Sequence, residues 1–184
     1  ATSVESAFVA KVNALRASKG LGSLRVDGEL TAIGRRWAAS MAGAGDISHN
    51  PRFQHQVQAD WVKLGENVGM GPEVDKLFRA FVASPTHYKN LVDGAFTRIG
   101  VGVVLTDDGM IFTSHQFERL AADDAVVRTA AVAEPERAPA AAPAAAAPAP
   151  RPVAAPAPVP ASPRVPAHAV QVLEQLRLFD RPAA

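Results

Sequence analysis

The chain has 184 residues, a formal net charge of +1 and no cysteine, which excludes disulfide frameworks, thiolate metal centres and cysteine nucleophiles. With no basic block and no interleaving of aromatic and basic residues, nucleic acid is excluded as a partner reached through bulk electrostatics. No apolar run approaches the roughly 20 residues of a transmembrane segment.

Composition divides the chain. All 13 glycines lie at or before Gly109, and twelve of the 15 prolines lie at or after Pro135. Residues 1–120 carry the aromatics and periodic apolar positions of a globular domain, long enough for a modest core. Residues 121–166 read as an extended, solvated Ala/Pro-rich linker, expected to be disordered, whose proline-dense part would reach on the order of 100 Å. Residues 167–180 read as a short amphipathic helix that docks back on an apolar patch or meets a partner. The start, "ATSVES", has no Met, which suits either a mature exported protein or a chain trimmed at its start.

In chain order, Thr2 and Glu5 form a capping box for a helix through Ser18, with Val4, Phe8, Val12 and Leu15 on one face. Asp27 caps a second helix carrying the stripe Leu30, Ile33, Trp37 and Met41. Residues 46–72 show no periodicity and are expected to be irregular; such a stretch inside a domain is usually functional. A third helix covers Glu73 to Ala83, with Val74, Leu77, Phe78 and Phe81 on one side. Pro85 breaks it, and a short helix follows through Leu91. "TRIGVGVVLT" (Thr97 to Thr106) and "MIFTSHQF" (Met110 to Phe117) are strands joined by the turn "DDG". Helices first and a buried hairpin last predict an α+β domain in three layers, α/β/α. In the tail, Val170, Leu173, Leu176 and Phe179 recur every three residues, the basis for the helix reading.

Chemistry concentrates in "ISHN" with His49, "GENVGMG" with Glu66 and "SPTHYKNL" with His87. The two histidines fit no local metal motif, and a hydrogen-bonded structural histidine is the commoner case. Ser84 can cap the last of these helices and Pro85 suits its first position, so His87 falls in the first turn. The positive end of the helix disfavours imidazolium there, which leaves a neutral ring fit for a metal or a proton. The glycines around Glu66 allow it to turn inward or leave it in a surface turn. His115 shares a strand face with Thr113 and Phe117, opposite Phe112 and Ser114. His55 is placed in a solvated loop and His168 in the tail.

The ordered set "SHN", "GENVGMG", "FVASPTHYKNLVDGAFTRIGVGVV" and "GMIFTSHQFE" resembles the CAP superfamily, the SCP-like proteins that include cysteine-rich secretory, antigen 5 and pathogenesis-related proteins. It is most similar to the short cysteine-free bacterial branch, over about residues 4–119. The resemblance implies an α/β/α sandwich whose central cleft is lined by two histidines and two glutamates. By motif these are His49, Glu66 and His87, with Ser84 standing where the second glutamate is expected and Phe81 where an aromatic anchor, often Trp, is usual. His115 would add a third imidazole at the cleft rim. The resemblance also implies secretion or cell-envelope association and a possible Zn²⁺ or other divalent metal on His49 and His87. A small ligand, lipid, glycan or peptide would occupy the cleft, and an envelope partner would meet the tail. Two functions stay open: a ligand- or metal-binding module, and a metal-assisted hydrolase of peptide or cell-wall material with Glu66 as catalytic base. The missing second acid weighs against the hydrolase.

Overall fold

The computed structural model describes residues 2–123, 170–172 and 177–180. The elements in order are α1 (Ser3–Ser18), β1 (Arg25–Val26), α2 (Gly28–Ala44), α3 (Phe53–Gln56), β2 (Trp61–Gly71), α4 (Val74–Ala83), α5 (Pro85–Leu91), β3 (Arg98–Leu105), β4 (Ile111–Leu120), β5 (Gln171–Val172) and β6 (Arg177–Asp180).

Local chemistry sets the helix ends. Thr2 and Glu5 close the expected capping box on α1. Asp27 accepts from the Leu30 amide at the start of α2, and left-handed Gly45 (φ 69°) ends it, a conformation that costs glycine nothing sterically. Ser84 caps α5 with Pro85 at its first position. Helix α1 is tied to α2 by Arg35, whose guanidinium grips the buried Glu5 carboxylate through two hydrogen bonds of 2.6 and 2.7 Å. This pairing holds the Glu5 carboxyl below its usual range.

One sheet runs β1–β3–β4–β2–β5, with β6 also on β2. Strands β3 and β4 form the expected hairpin, with Gly109 at φ 82° in the turn. Helix α2 covers one face, and α1, α4 and α5 cover the other. The three-layer α/β/α sandwich expected from the sequence is what forms. Alternation along the strands divides the core. Ile99, Val101 and Phe117 pack with Phe8, Leu77, Phe81 and Phe96 on the α1/α4/α5 side. Leu64, Val68 and Phe112 face the other side, with Leu30, Ile33 and Met41 of α2.

The fold departs from the sequence reading in two places. Residues 46–72 are not irregular throughout, because Trp61–Gly71 is the long strand β2, paired with β4 along its length. The amphipathic helix expected at 167–180 is not formed at its described positions. Gln171–Val172 and Arg177–Asp180 are strands, antiparallel to β2. Without them β2 would leave the backbone groups of its outer edge unpaired, and strand pairing satisfies those groups where a helix would not. Apart from 121–123, the linker reading falls outside the described residues.

One buried group had no sequence signature. Arg16, at the end of α1, is 1% exposed. Its guanidinium donates to the carbonyl oxygens of Gly22, Leu91, Asp93 and Phe96, closing the chain around the end of α5.

Candidate functional site

His49 sits in the loop that leaves α2. Trp37 Nε1 donates to the Ser48 carbonyl at 2.7 Å and pins that loop to the helix. Asn50 organises the other side, donating to Gln56 Oε1 and accepting from the Arg52 amide. The loop then delivers the His49 ring to Glu66, with Nδ1 2.8 Å from Oε2. Both side chains are buried.

Glu66 lies on β2 opposite Gln116 of β4. The Asn50 amide donates to Oε2 at 2.9 Å; Ser114 Oγ and Gln116 Nε2 donate to Oε1 at 3.3 and 3.2 Å. Gln116 Nε2 also reaches Ser114 Oγ at 2.6 Å. The carboxylate therefore meets four partners, the His49 ring, the Asn50 amide, Ser114 and Gln116. The His49 ring thus meets the carboxylate through Nδ1, and which of the two donates depends on the ring's tautomer.

His87 approaches from the other side of the strand. Asn67 follows Glu66 on β2, and consecutive strand residues point to opposite faces. Asn67 donates to the His87 carbonyl at 3.1 Å, and Asn90 donates to Asn67 Oδ1 at 2.8 Å and to the Glu66 carbonyl at 3.2 Å. These bonds lock α5 onto β2. Ser84 Oγ stands 2.7 Å from His87 Nδ1, so the residue in the expected acid's place fixes the second ring. A hydroxyl can give or take that proton, so it sets the ring's orientation and not its tautomer. His49 and His87 thus flank β2 from its two faces.

His115 does not line a cleft rim, correcting the sequence reading. It is fully buried, edge-on to Phe8 and Phe81 at centroid distances of 4.8 and 5.1 Å. Neither ring nitrogen has a hydrogen-bond partner among the described residues. Burial, followed by the charge of His87, pushes its pKa down to about 3. It stands as a neutral aromatic packed between two phenyl rings. His55 is exposed, as expected, but it lies on helix α3 and not in a loop. His168 lies outside the described residues.

Ser114, Gln116 and Asn90 were missed as site residues. Strand alternation placed Ser114 opposite His115, but their meeting with Glu66 needs the β2–β4 register, which no local pattern supplies.

A second titratable group stands apart. Glu118 is buried near Arg98, whose Nε is 3.9 Å away, and near Asp27, Glu29 and Asp123. Burial first, then the charge of Asp27, pushes its pKa up to about 7. A raised carboxyl pKa means the fold takes up a proton that the unfolded chain releases. Its stability contribution is complete below the ordinary value of 4.5 and is lost as pH rises through about 7. That shift corresponds to on the order of 3 kcal/mol. Denaturant titrations at about pH 5 and about pH 8 should show the drop, and Glu118→Gln should flatten it.

The profile of the cysteine-rich secretory protein family, CAP, matches residues 9–116. The chain belongs to the CAP family. Solved structures agree on the fold. An outer surface protein from Borrelia burgdorferi superposes with a TM-score of 0.60 at 19% identity, over 65% of this chain and 94% of that one. An extracellular SCP-domain protein from Bacillus anthracis gives 0.54 at 22% identity, over 63% of this chain and 40% of that one. Venom allergen-like protein 4 of Schistosoma mansoni gives 0.54 at 13% identity, over 64% and 89%. No curated protein sequence matches significantly. In this CAP domain, no helix among the described residues is long and apolar enough to cross a membrane.

Proposed function

We infer that this CAP domain is a binding module of the cell envelope or extracellular space, whose ligand meets His49, Glu66 and His87 across β2. The observation that carries this is the anchoring of two imidazoles at Nδ1. Glu66 holds one at 2.8 Å and Ser84 the other at 2.7 Å. A carboxylate or hydroxyl behind Nδ1 is the support that orients an imidazole toward a ligand or metal through Nε2. The outer-surface and extracellular descriptions of the Borrelia and Bacillus proteins agree with that location.

A divalent ion such as Zn²⁺ would be shared by His49 and His87 only at the outer edge of β2, where side chains from its two faces would have to meet. Among the described residues no three His, Asp or Glu side chains converge as a ligand set, so water would complete the coordination. A bound ion would act there as a Lewis acid toward an anionic or carbonyl ligand group. Calorimetric titration with zinc chloride should show saturable binding that is lost in the His49→Ala/His87→Ala double variant. No heat with the parent chain, or an unchanged isotherm in the variant, would sink the metal reading.

The hydrolase reading gains nothing from the geometry. A general base needs a lone pair directed at substrate, whereas Glu66 is held by His49, Asn50, Ser114 and Gln116.

A further inference from the structure

The geometry points to the outer edge of β2 as a binding groove for an extended peptide, with this chain's own C-terminal segment as its resident, displaceable occupant. The inference deepens the binding reading above, and rests on it, by giving the ligand a chemical class. The edge is a strand acceptor. Val172 pairs with Gly69 and Gln171 with Met70. Arg177, Leu178, Phe179 and Asp180 pair with Glu66, Gly65, Leu64 and Lys63. The two pairings bracket Asn67 and Val68. Peptide backbone laid on this edge therefore runs past Glu66 and between the histidines that flank β2.

The groove also reads side chains. Gly65 and Gly69 clear room for the incoming strand. A Cβ at Gly65 would meet Phe96 at 2.8 Å and Leu178 at 3.3 Å, and one at Gly69 would meet the Gln171 carbonyl and Phe81, each at 3.0 Å. Val170, Val172 and Leu178 pack against the cluster of Phe81 and Phe96 on one side of the sheet. Phe179 turns to the other side, against Leu64 and Phe53, whose ring centroid is 6.4 Å away. Alternating side-chain pockets beside a main-chain ladder are the marks of peptide recognition by strand addition.

Three features make the occupant displaceable. Strand β4 pairs with β2 from Trp61 to Gly71, whereas among the described residues β5 and β6 meet it at Gly69–Met70 and Lys63–Glu66. The apolar residues of β5 and β6 with described side chains are only half-buried. The segment joins the domain through residues 124–169, which if extended reach on the order of 140 Å, against the roughly 35 Å length of β2. That length of chain is enough for the segment to leave β2 while remaining attached. A partner peptide would carry a Val-x-Val or similar pair followed by adjacent large apolar residues, as "VQVLEQLRLF" does.

The test keeps every residue of the chain. A protease recognition sequence inserted among residues 140–150 is cut, and a fluorescent synthetic peptide of residues 168–181 is added. The labelled peptide should exchange into the cut protein saturably. It should bind the uncut chain at least about tenfold more weakly, because the tether holds the resident segment near millimolar effective concentration. A peptide carrying Leu178→Asp and Phe179→Asp should not bind. Amide exchange in β3 and β4, followed in the same samples, should stay slow and show that the fold survives cutting. The inference is overturned by failure of the peptide to exchange, by equal binding of the two peptides, or by equal binding to cut and uncut chain. Dimerisation of the uncut chain at the same concentrations would make a second copy the occupant and overturn the choice of a free peptide. Zinc binding without peptide binding defeats this inference alone; peptide binding without zinc binding defeats only the metal reading.

Discussion

Gly102→Ala is expected to prevent the domain from folding stably. A Cβ at Gly102 would fall on the carbonyl carbon of Gly34 and the amide nitrogen of Arg35, both backbone atoms of α2. Gly100 meets α2 in the same way at Leu30 and Thr31. Helix and strand touch backbone to backbone here, so no side chain can rotate aside and the whole helix must lift from the sheet. Overpacking of a core usually costs about 1–3 kcal/mol when side chains can adjust. Where they cannot, the cost should exceed that range, a large part of the roughly 5–15 kcal/mol that holds a domain. The effect should reach the site, because α2 ends at Gly45 and the next residues carry His49 to Glu66. Gly43→Ala is the control. It lies in the same helix with nothing within 4 Å of an added Cβ, and should stabilise by roughly 0.5–1 kcal/mol. Thermal melts of the two variants should move in opposite directions. Equal melting points for Gly102→Ala and the parent would refute the packing account.

The helices and the hairpin were legible because their signals are local. Thr2, Asp27 and Ser84 announce helix starts, and the runs behind them have helical spacing. β2 lacked such a signal. "WVKLGENVGMG" carries three glycines, and its polar Glu66 and Asn67 are both buried, so neither propensity nor polar alternation marks a strand. Its conformation is imposed by pairing on both edges. The C-terminal segment failed for a related reason. Three-residue spacing in so short a run does not separate helix from strand, and the deciding factor was the unpaired edge of β2, far away in sequence. At the site, the Ser84 cap foretold a fixed His87. The partnership of His49 with Glu66 came through family resemblance and not through their spacing. Arg16 was invisible, since a basic residue in a last helical turn normally faces solvent, and its four carbonyl partners are gathered only by the fold.

Glu66→Ala should be the most damaging change within the site, costing about 3–5 kcal/mol, the usual penalty for removing one member of a buried charged cluster. It would leave His49 Nδ1, the Asn50 amide, Ser114 and Gln116 without the carboxylate at their centre. Glu66→Gln preserves shape and should cost less, about 1–3 kcal/mol. One amide oxygen can still accept from His49 and Asn50, but the NH₂ then meets the donors of Ser114 and Gln116. The milder variant also separates two roles for this residue. If Glu66 only satisfies buried donors, His49 in Glu66→Gln keeps its proton on Nδ1, and zinc binding survives wherever the fold does. If Glu66 also holds His49 ready for a ligand, weakening its grip lets the proton move to Nε2, the atom meant to face the ligand. Nitrogen-15 NMR of the His49 ring reads that tautomer directly. The binding proposal expects the parent ring to be protonated at Nδ1 and the Glu66→Gln ring to be mixed. It also expects zinc affinity to fall at least about tenfold, as loss of such a supporting partner usually brings. An unmixed Nδ1 tautomer with undiminished affinity would confine Glu66 to holding the fold together.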